Sequence, residues 1–217
     1  MKIISKKSEK SLIDQFIKDF KKDYLRKKKQ NKRLSFVLTG GKSPIKLYRK
    51  LAQINIDWNI IDFFWGDERY ISHQSRDSNF KLAFNEFIKI IKIDKKNVFP
   101  IKTNKSISKC SAEYSKKIKK YFKYKKINFD YCLLGMGKDG HIASIFPNSE
   151  NLYDRFITKP VIRKDFKRIT LSLNVINNSK KILLWLNNKS KSKIYFKINK
   201  EGKKIPVNNL NKKKTMI

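Results

Sequence analysis

Three short apolar runs in this chain each stop at glycine. Phe36-Val37-Leu38 leads through Thr39 into Gly40-Gly41, residues 60–65 end at Gly66, and Tyr131 to Leu134 end at Gly135. Runs of this length suit buried strands. A glycine at the exit permits positive φ and a close approach of backbone to a ligand. Between the runs, apolar residues recur at helical spacing. Leu12, Ile13, Phe16, Ile17, Phe20, Tyr24 and Leu25 mark residues 8–29. Phe80, Ala83, Phe84, Phe87, Ile88 and Ile91 follow Asp77-Ser78-Asn79. Ile107, Cys110, Tyr114, Ile118 and Tyr121 mark residues 106–124. Strands alternating with helices predict an α/β fold, Rossmann-like, with a mainly parallel sheet flanked by helices. No repeat or linker interrupts residues 1–217, so a single domain is expected. Further strands are expected at residues 2–5 (an edge), 33–39, 98–101, 168–173 and 181–186. A helix is expected over 190–198, a loop over 148–155, and an irregular polar tail from about 202.

In sheets of this kind, ligands bind beyond the carboxyl ends of strands, so the glycine turns are where function is sought. The third turn, Gly135-Met136-Gly137-Lys138-Asp139-Gly140, is followed at once by His141, one of two histidines. That order suggests a catalytic loop, although a lone histidine is as readily a packed loop residue. The turn also fits a dinucleotide fingerprint, but Pro147 interrupts the long helix such a site needs. In the first turn, Thr39-Gly40-Gly41-Lys42-Ser43-Pro44, Pro44 fits the first helical position with Ser43 as cap. Its N–H groups and helix start form a candidate anion site; the plain alternative is an ordinary strand-to-helix turn. It is not a Walker loop, because the first glycine is misplaced. After Gly66, Asp67-Glu68-Arg69 sets three charges beyond a buried strand. Asp67 and Arg69, two apart, share a face. An arginine there suits phosphate, or else the pair only stiffens the loop. His73 reads as an exposed loop residue.

The chain carries 53 Lys+Arg against 18 Asp+Glu, a formal charge of +35. Such a surplus raises nucleic acid or an acidic membrane as a partner. Here the lysines are spread over the whole chain and travel with asparagine and isoleucine, which points to compositional bias. No specific nucleic-acid and no membrane partner is expected, only salt-sensitive association with RNA. No apolar run is long enough for a bilayer, and residues 1–7 lack the apolar stretch of a secretory signal. Cys110 and Cys132 fall on a predicted helix and strand without disulfide or metal spacing. Cys110 lies on the apolar helix face and reads as core. A cytoplasmic, reduced protein is expected, as a monomer or small homo-oligomer.

Taken together, four blocks in order resemble the 6-phosphogluconolactonase family of the glucosamine-6-phosphate isomerase superfamily. They are Thr39 to Pro44 with Leu47-Tyr48, Asp67-Glu68-Arg69 with Asp77-Ser78-Asn79, Leu134 to Pro147, and Arg168-Ile169-Thr170-Leu171. The resemblance implies hydrolysis of a sugar-phosphate lactone with no metal or organic cofactor. It implies His141 as general base, Asp67 orienting the imidazole or the water, and substrate or phosphate binding by Gly40, Gly41, Ser43, Arg69, Asn79, Gly137, Arg168 and Lys191. Ser144 lies outside a nucleophile elbow, so a covalent route is disfavoured. Two departures stand out. Asn188 occupies the place of a family glycine ahead of Lys191, and the family's closing tryptophan and acidic-alanine segment are missing, so the last strand and helix are expected to be trimmed. The nearest rival, a glucosamine-6-phosphate deaminase, would continue after His141 into Asn-Glu-Pro instead of Ala143-Ser144-Ile145-Phe146-Pro147. A nucleic-acid-binding protein would need clustered lysines with exposed aromatics.

Overall fold

The computed structural model describes residues 4, 6–149, 155–198, 200, 202 and 204–216. Six strands form one parallel sheet: β1 (Leu34–Leu38), β2 (Ile61–Trp65), β4 (Val98–Phe99), β5 (Tyr131–Leu134), β8 (Lys181–Leu184) and β9 (Thr215–Met216). Their order is β4-β2-β1-β5-β8-β9. β1, β2 and β5 are buried along their whole length, as apolar runs in a two-sided parallel sheet should be. A second, antiparallel sheet has the order β3-β7-β6, from β3 (Asp67–Arg69), β6 (Thr158–Val161) and β7 (Arg168–Leu171). Gly66 joins the two sheets: its N–H donates to Leu38 and its carbonyl accepts from Leu171.

Helix α1 (Glu9–Lys29) begins at a Ser8–Ser11 capping box and ends in Arg26, Lys27, Lys28 and Lys29, which suit the negative end of its dipole. Its stripe of Ile13, Phe16, Phe20 and Tyr24 is buried. The rings of Phe16 and Phe20 reach Phe36 of β1 at 6.4 and 5.8 Å, and Tyr131 of β5 at 6.0 and 5.6 Å. The other helices are α2 (Ile45–Leu51), α3 (Asn79–Ala83), α4 (Ile107–Tyr121), α5 (Leu173–Asn178) and α6 (Lys189–Ile198). Both cysteines are buried and free. Among the described residues no helix is long and apolar enough to cross a membrane.

The expected α/β class and mainly parallel sheet are present, with local corrections. Pro44, not Ser43, occupies the N-cap of α2, and no side chain bonds that helix start. The apolar pattern after Ser78 is α-helical only to Ala83. A π turn over Phe84–Ile88 then swings Phe84 to the surface. The alternation expected over 168–173 stops at Leu171, because Ser172 accepts the Val175 N–H at 3.2 Å and starts α5. β6 has the sequence Thr-Lys-Pro-Val; its proline suits the edge position it takes. The polar tail supplies the edge strand β9, held against β8. His73 is half-buried, its Nε2 2.8 Å from the Ile101 carbonyl and its ring stacked on Phe80. The edge strand expected at 2–5 and the loop at 148–155 lie largely outside the described residues.

Buried charges cross-link the amino ends of the strands. Asp62 of β2 takes two hydrogen bonds of 2.6 Å from Arg33 and one of 2.9 Å from Tyr121. Asp23 of α1 accepts from Tyr131 and Lys181. Asp130, just before β5, accepts the Ser35 N–H of β1 at 3.0 Å and faces Lys27 and Lys180, each at 2.8 Å. Burial alone would raise the Asp130 pKa, but these partners hold it below its ordinary value. A folded pKa below the unfolded value means the stabilisation is present above the unfolded pKa and lost as pH falls through the folded one. Asp130→Asn should therefore destabilise the protein by about 1–3 kcal/mol at pH 7. The gap to the parent in thermal unfolding by circular dichroism should shrink as pH drops below ~4. A gap independent of pH would show that the ion pairs contribute nothing.

Candidate active site

The strand order reverses between β1 and β5, and an open cleft of about 650 Å³ lies above that point. Its walls bring together every residue nominated from the sequence: Gly40, Gly41 and Ser43 after β1, Asp67 and Arg69 on β3, Asn79 at the start of α3, Gly137 and His141 after β5, Arg168 on β7 and Lys191 on α6. Thr39, Lys42, Gly135, Met136 and Ala143 complete the lining at the same turns.

The turn after β5 is folded around the imidazole. Gly137 N–H donates to the His141 carbonyl at 3.0 Å, and Gly140 N–H to the Gly137 carbonyl at 3.1 Å. A Cβ on Gly137 would fall 2.2 Å from the His141 ring, so only glycine lets the ring lie over the turn. Asp139 Oδ1 lies 2.6 Å from His141 Nδ1 and accepts the His141 N–H at 3.2 Å. Burial pushes the Asp139 pKa upward, but these bonds to His141 outweigh it and leave the group below its ordinary value. A carboxylate at Nδ1 favours the tautomer with its proton there, so Nε2 presents a lone pair. Among the described residues nothing bonds Nε2. Phe146 packs on the ring at a centroid distance of 4.7 Å.

Asp67 makes no hydrogen bond to the imidazole among the described residues. Its buried carboxylate accepts Ser144 Oγ at 2.6 Å and Asn79 Nδ2 at 3.2 Å. The carboxylate hydrogen-bonded to the ring is that of Asp139, a residue that sequence reading does not single out. The available signal was a carboxylate two residues before the histidine within the glycine turn. Burial pushes the Asp67 pKa up, against the Ser144 bond and the nearby Arg69, His141 and Arg168. Ser144 is itself buried and committed to Asp67. Asn79 approaches so closely that a Cβ on Gly40 would lie 1.8 Å from its Oδ1.

Three cations, Arg69, Arg168 and Lys191, line the same cleft, and Arg168 lies over the Phe146 ring that also packs on His141. Arg69 and Arg168 are register partners in the antiparallel sheet. Phe166 lies between their guanidinium groups, at 5.3 Å from Arg69 and 5.6 Å from Arg168. Arg69 donates to the Asp77 carbonyl at 2.6 Å, and Arg168 grips Asp165 with two bonds of 2.9 and 2.5 Å. Lys191 reaches across from α6 to Ser43 Oγ, and burial lowers its pKa. Asn188, in the place of the expected glycine, accepts the Lys191 N–H at 2.9 Å and so starts α6 one residue ahead of the expected boundary. The N–H groups of Gly40 and Gly41 find no acceptor among the described residues. Among those residues no group of three or more His, Cys, Asp or Glu could hold a metal ion.

Known proteins show the same arrangement of chain. The family model described as glucosamine-6-phosphate isomerases/6-phosphogluconolactonase matches residues 7–217. A 6-phosphogluconolactonase of Thermotoga maritima is 36% identical over 159 residues, covering 71% of this chain and 70% of that one. One from Nostoc sp. is 36% identical over 164 residues, covering 71% and 67%. The crystal structure of the Thermotoga maritima 6-phosphogluconolactonase superposes with a TM-score of 0.86 at 28% identity, covering 99% of this chain and 95% of that one. By the family match and these relatives, the chain belongs to the glucosamine-6-phosphate isomerase/6-phosphogluconolactonase family.

Proposed function

We propose that this chain hydrolyses 6-phospho-D-glucono-1,5-lactone to 6-phospho-D-gluconate, the lactone-opening step of the oxidative pentose phosphate pathway. The observation that carries the reading is the gathering of the Asp139–His141 pair and three cations, Arg69, Arg168 and Lys191, in the lining of one cleft. A neutral ring bearing a remote phosphate needs both features. The cations, with the free N–H groups of the Gly40-Gly41 turn, take the phosphate dianion. Binding energy spent on that remote group holds the lactone carbonyl near the base.

His141 Nε2 takes a proton from water as the oxygen attacks C1. The tetrahedral intermediate collapses, the bond from C1 to the ring oxygen breaks, and the proton passes from Nε2 to that oxygen. The new carboxylic acid then ionises, so one proton leaves per turnover. Asp139 holds the tautomer and stabilises the transient imidazolium. Asp67, with Ser144 and Asn79, shapes the wall between the base and the cations. The setting we infer is a reduced compartment such as the cytoplasm, in keeping with two buried free thiols.

Assay on freshly prepared lactone at slightly acidic pH, where the spontaneous reaction is slow, should show acceleration over a blank. Release of ammonia from glucosamine 6-phosphate without lactone hydrolysis would overturn the reading in favour of a deaminase. His141→Ala should cut kcat by about 10²–10⁴-fold with little change in KM, and Asp139→Asn should cut it less. Unchanged turnover in the folded His141→Ala protein would move the base elsewhere. Arg69→Ala should chiefly raise KM, by about 10–100-fold if a charge-assisted contact of roughly 1.5–3 kcal/mol is lost. An effect confined to kcat would remove Arg69 from the phosphate site. Gly137→Ala should leave the fold intact and lower kcat as its methyl displaces the imidazole. Wild-type kcat in that variant would show that the ring does not need its place over the turn.

A further inference from the structure

Glu68 is a carboxylate with no exposed surface, and the chemistry above does not use it. Strand alternation turns Asp67 and Arg69 toward the cleft and Glu68 away from it. Its Oε1 accepts the N–H groups of Arg69 and Asn79, both at 2.8 Å. Its Oε2 accepts the N–H of Phe80 at 2.7 Å and Ser78 Oγ at 3.0 Å. One carboxylate thus ties β3 to the first turn of α3 and closes the excursion of residues 70–78 between them. Ser78 Oγ accepts the Lys81 N–H at 3.1 Å and Glu68 meets the Asn79 and Phe80 N–H groups of the same helix start, but the Arg69 N–H belongs to β3 and is no part of a helix cap.

We infer that Glu68 is a positioning residue that fixes Arg69 and Asn79 in the anion-binding wall by gathering four donors from both elements on one carboxylate. Both residues leave the clamp pointing into the cleft. From its fixed N–H, Asn79 turns its amide onto Asp67 and over Gly40. Arg69, pinned at its own N–H, extends to the Asp77 carbonyl on the same closed loop. Burial pushes the Glu68 pKa up to about 7, against the pull of the four donors. A glutamine of the same size would turn an N–H₂ group toward two of the four donors and force them apart.

The inference rests on the phosphate-binding reading of Arg69 and Asn79, so its test is a double-mutant cycle on product binding. Calorimetric titration with 6-phosphogluconate should show Glu68→Gln weakening the Kd about tenfold, roughly one lost hydrogen-bonded geometry. The lactone KM should rise in step while kcat stays within about threefold, since the base is untouched. In an Arg69→Ala background the same substitution should weaken the Kd by a smaller factor than in the parent, the remainder being the share carried through Asn79, because residues acting through one another are not additive. Ser78→Ala, which removes one donor and keeps the carboxylate, should move the Kd in the same direction by a smaller factor, and it serves if Glu68→Gln does not fold. An unchanged Kd in the folded Glu68→Gln or Ser78→Ala protein would overturn the inference. So would an equal loss in the Arg69→Ala background. A parent protein that binds neither 6-phosphogluconate nor inorganic phosphate would overturn the functional reading, and this inference with it.

Discussion

The pairing of β1 with β5 is the contact on which the rest of the molecule depends. Only Phe36 with Tyr131 and Val37 with Cys132 stand in register there, yet the strand order reverses at that seam. The connections that leave the parallel strands β1 and β5 lead to opposite sides of the sheet, to β2 and to β8, so the turns after them part and the gap above them is the cleft. The seam is held from the side by the rings of Phe16 and Phe20 on α1. From below it is held by Asp130, whose carboxylate takes both the N–H and hydroxyl of Ser35 across the strand pair. Once the seam is fixed, the positions of Gly40-Gly41 and of Gly137 to His141 follow from covalent geometry.

Charge is used differently at the two ends of the sheet. At the amino ends, buried aspartates meet cations directly and lock the strands. At the carboxyl ends, the cations are held mostly by neutral groups: a carbonyl for Arg69, whose guanidinium also stands 3.9 Å from the Asp77 carboxylate, a hydroxyl for Lys191, and aromatic faces for both arginines. Phe166 and Phe146 act as shelves that fix the guanidinium planes without neutralising them. The exception is Arg168, whose bidentate grip on the exposed Asp165 ties it to its own loop. In a chain with 53 basic residues and 18 acidic ones, the placement of so few carboxylates is informative. Asp23, Asp62, Glu68, Asp130 and Asp139 each serve two or more donors.

Much of this was legible beforehand because the site is built from backbone turns, and turns write themselves in glycine and proline. Strand β5 and the residues after it were readable to the residue, since four apolar positions followed by glycine leave little choice. All ten nominated site residues meet in one cleft, the glycines marked by their turns and Arg168 and Lys191 by the family resemblance. What could not be read was set by tertiary contacts. β3 is a short charged strand whose partner β7 lies far along the chain, and β6 pairs with its near neighbour β7 through a Thr-Lys-Pro-Val segment, so no local period marks either. β9 is two residues long and exists only because β8 offers an edge. Asp139 was passed over because its role depends on the fold of the glycine turn bringing its carboxylate back to Nδ1. Ser43 looked like a helix cap from its position before Pro44, but its hydroxyl is taken by Lys191 from 148 residues away.

The central claim is that one cleft holds a phosphate on its cationic wall and the reacting carbonyl at His141 Nε2. A crystal structure with bound 6-phosphogluconate tests it most directly. The account predicts the phosphate among Arg69, Arg168 and Lys191, with the C1 carboxylate within hydrogen-bonding distance of Nε2, about 2.6–3.2 Å. A product bound in the reverse direction, with its phosphate at His141, or bound outside this cleft, would contradict it.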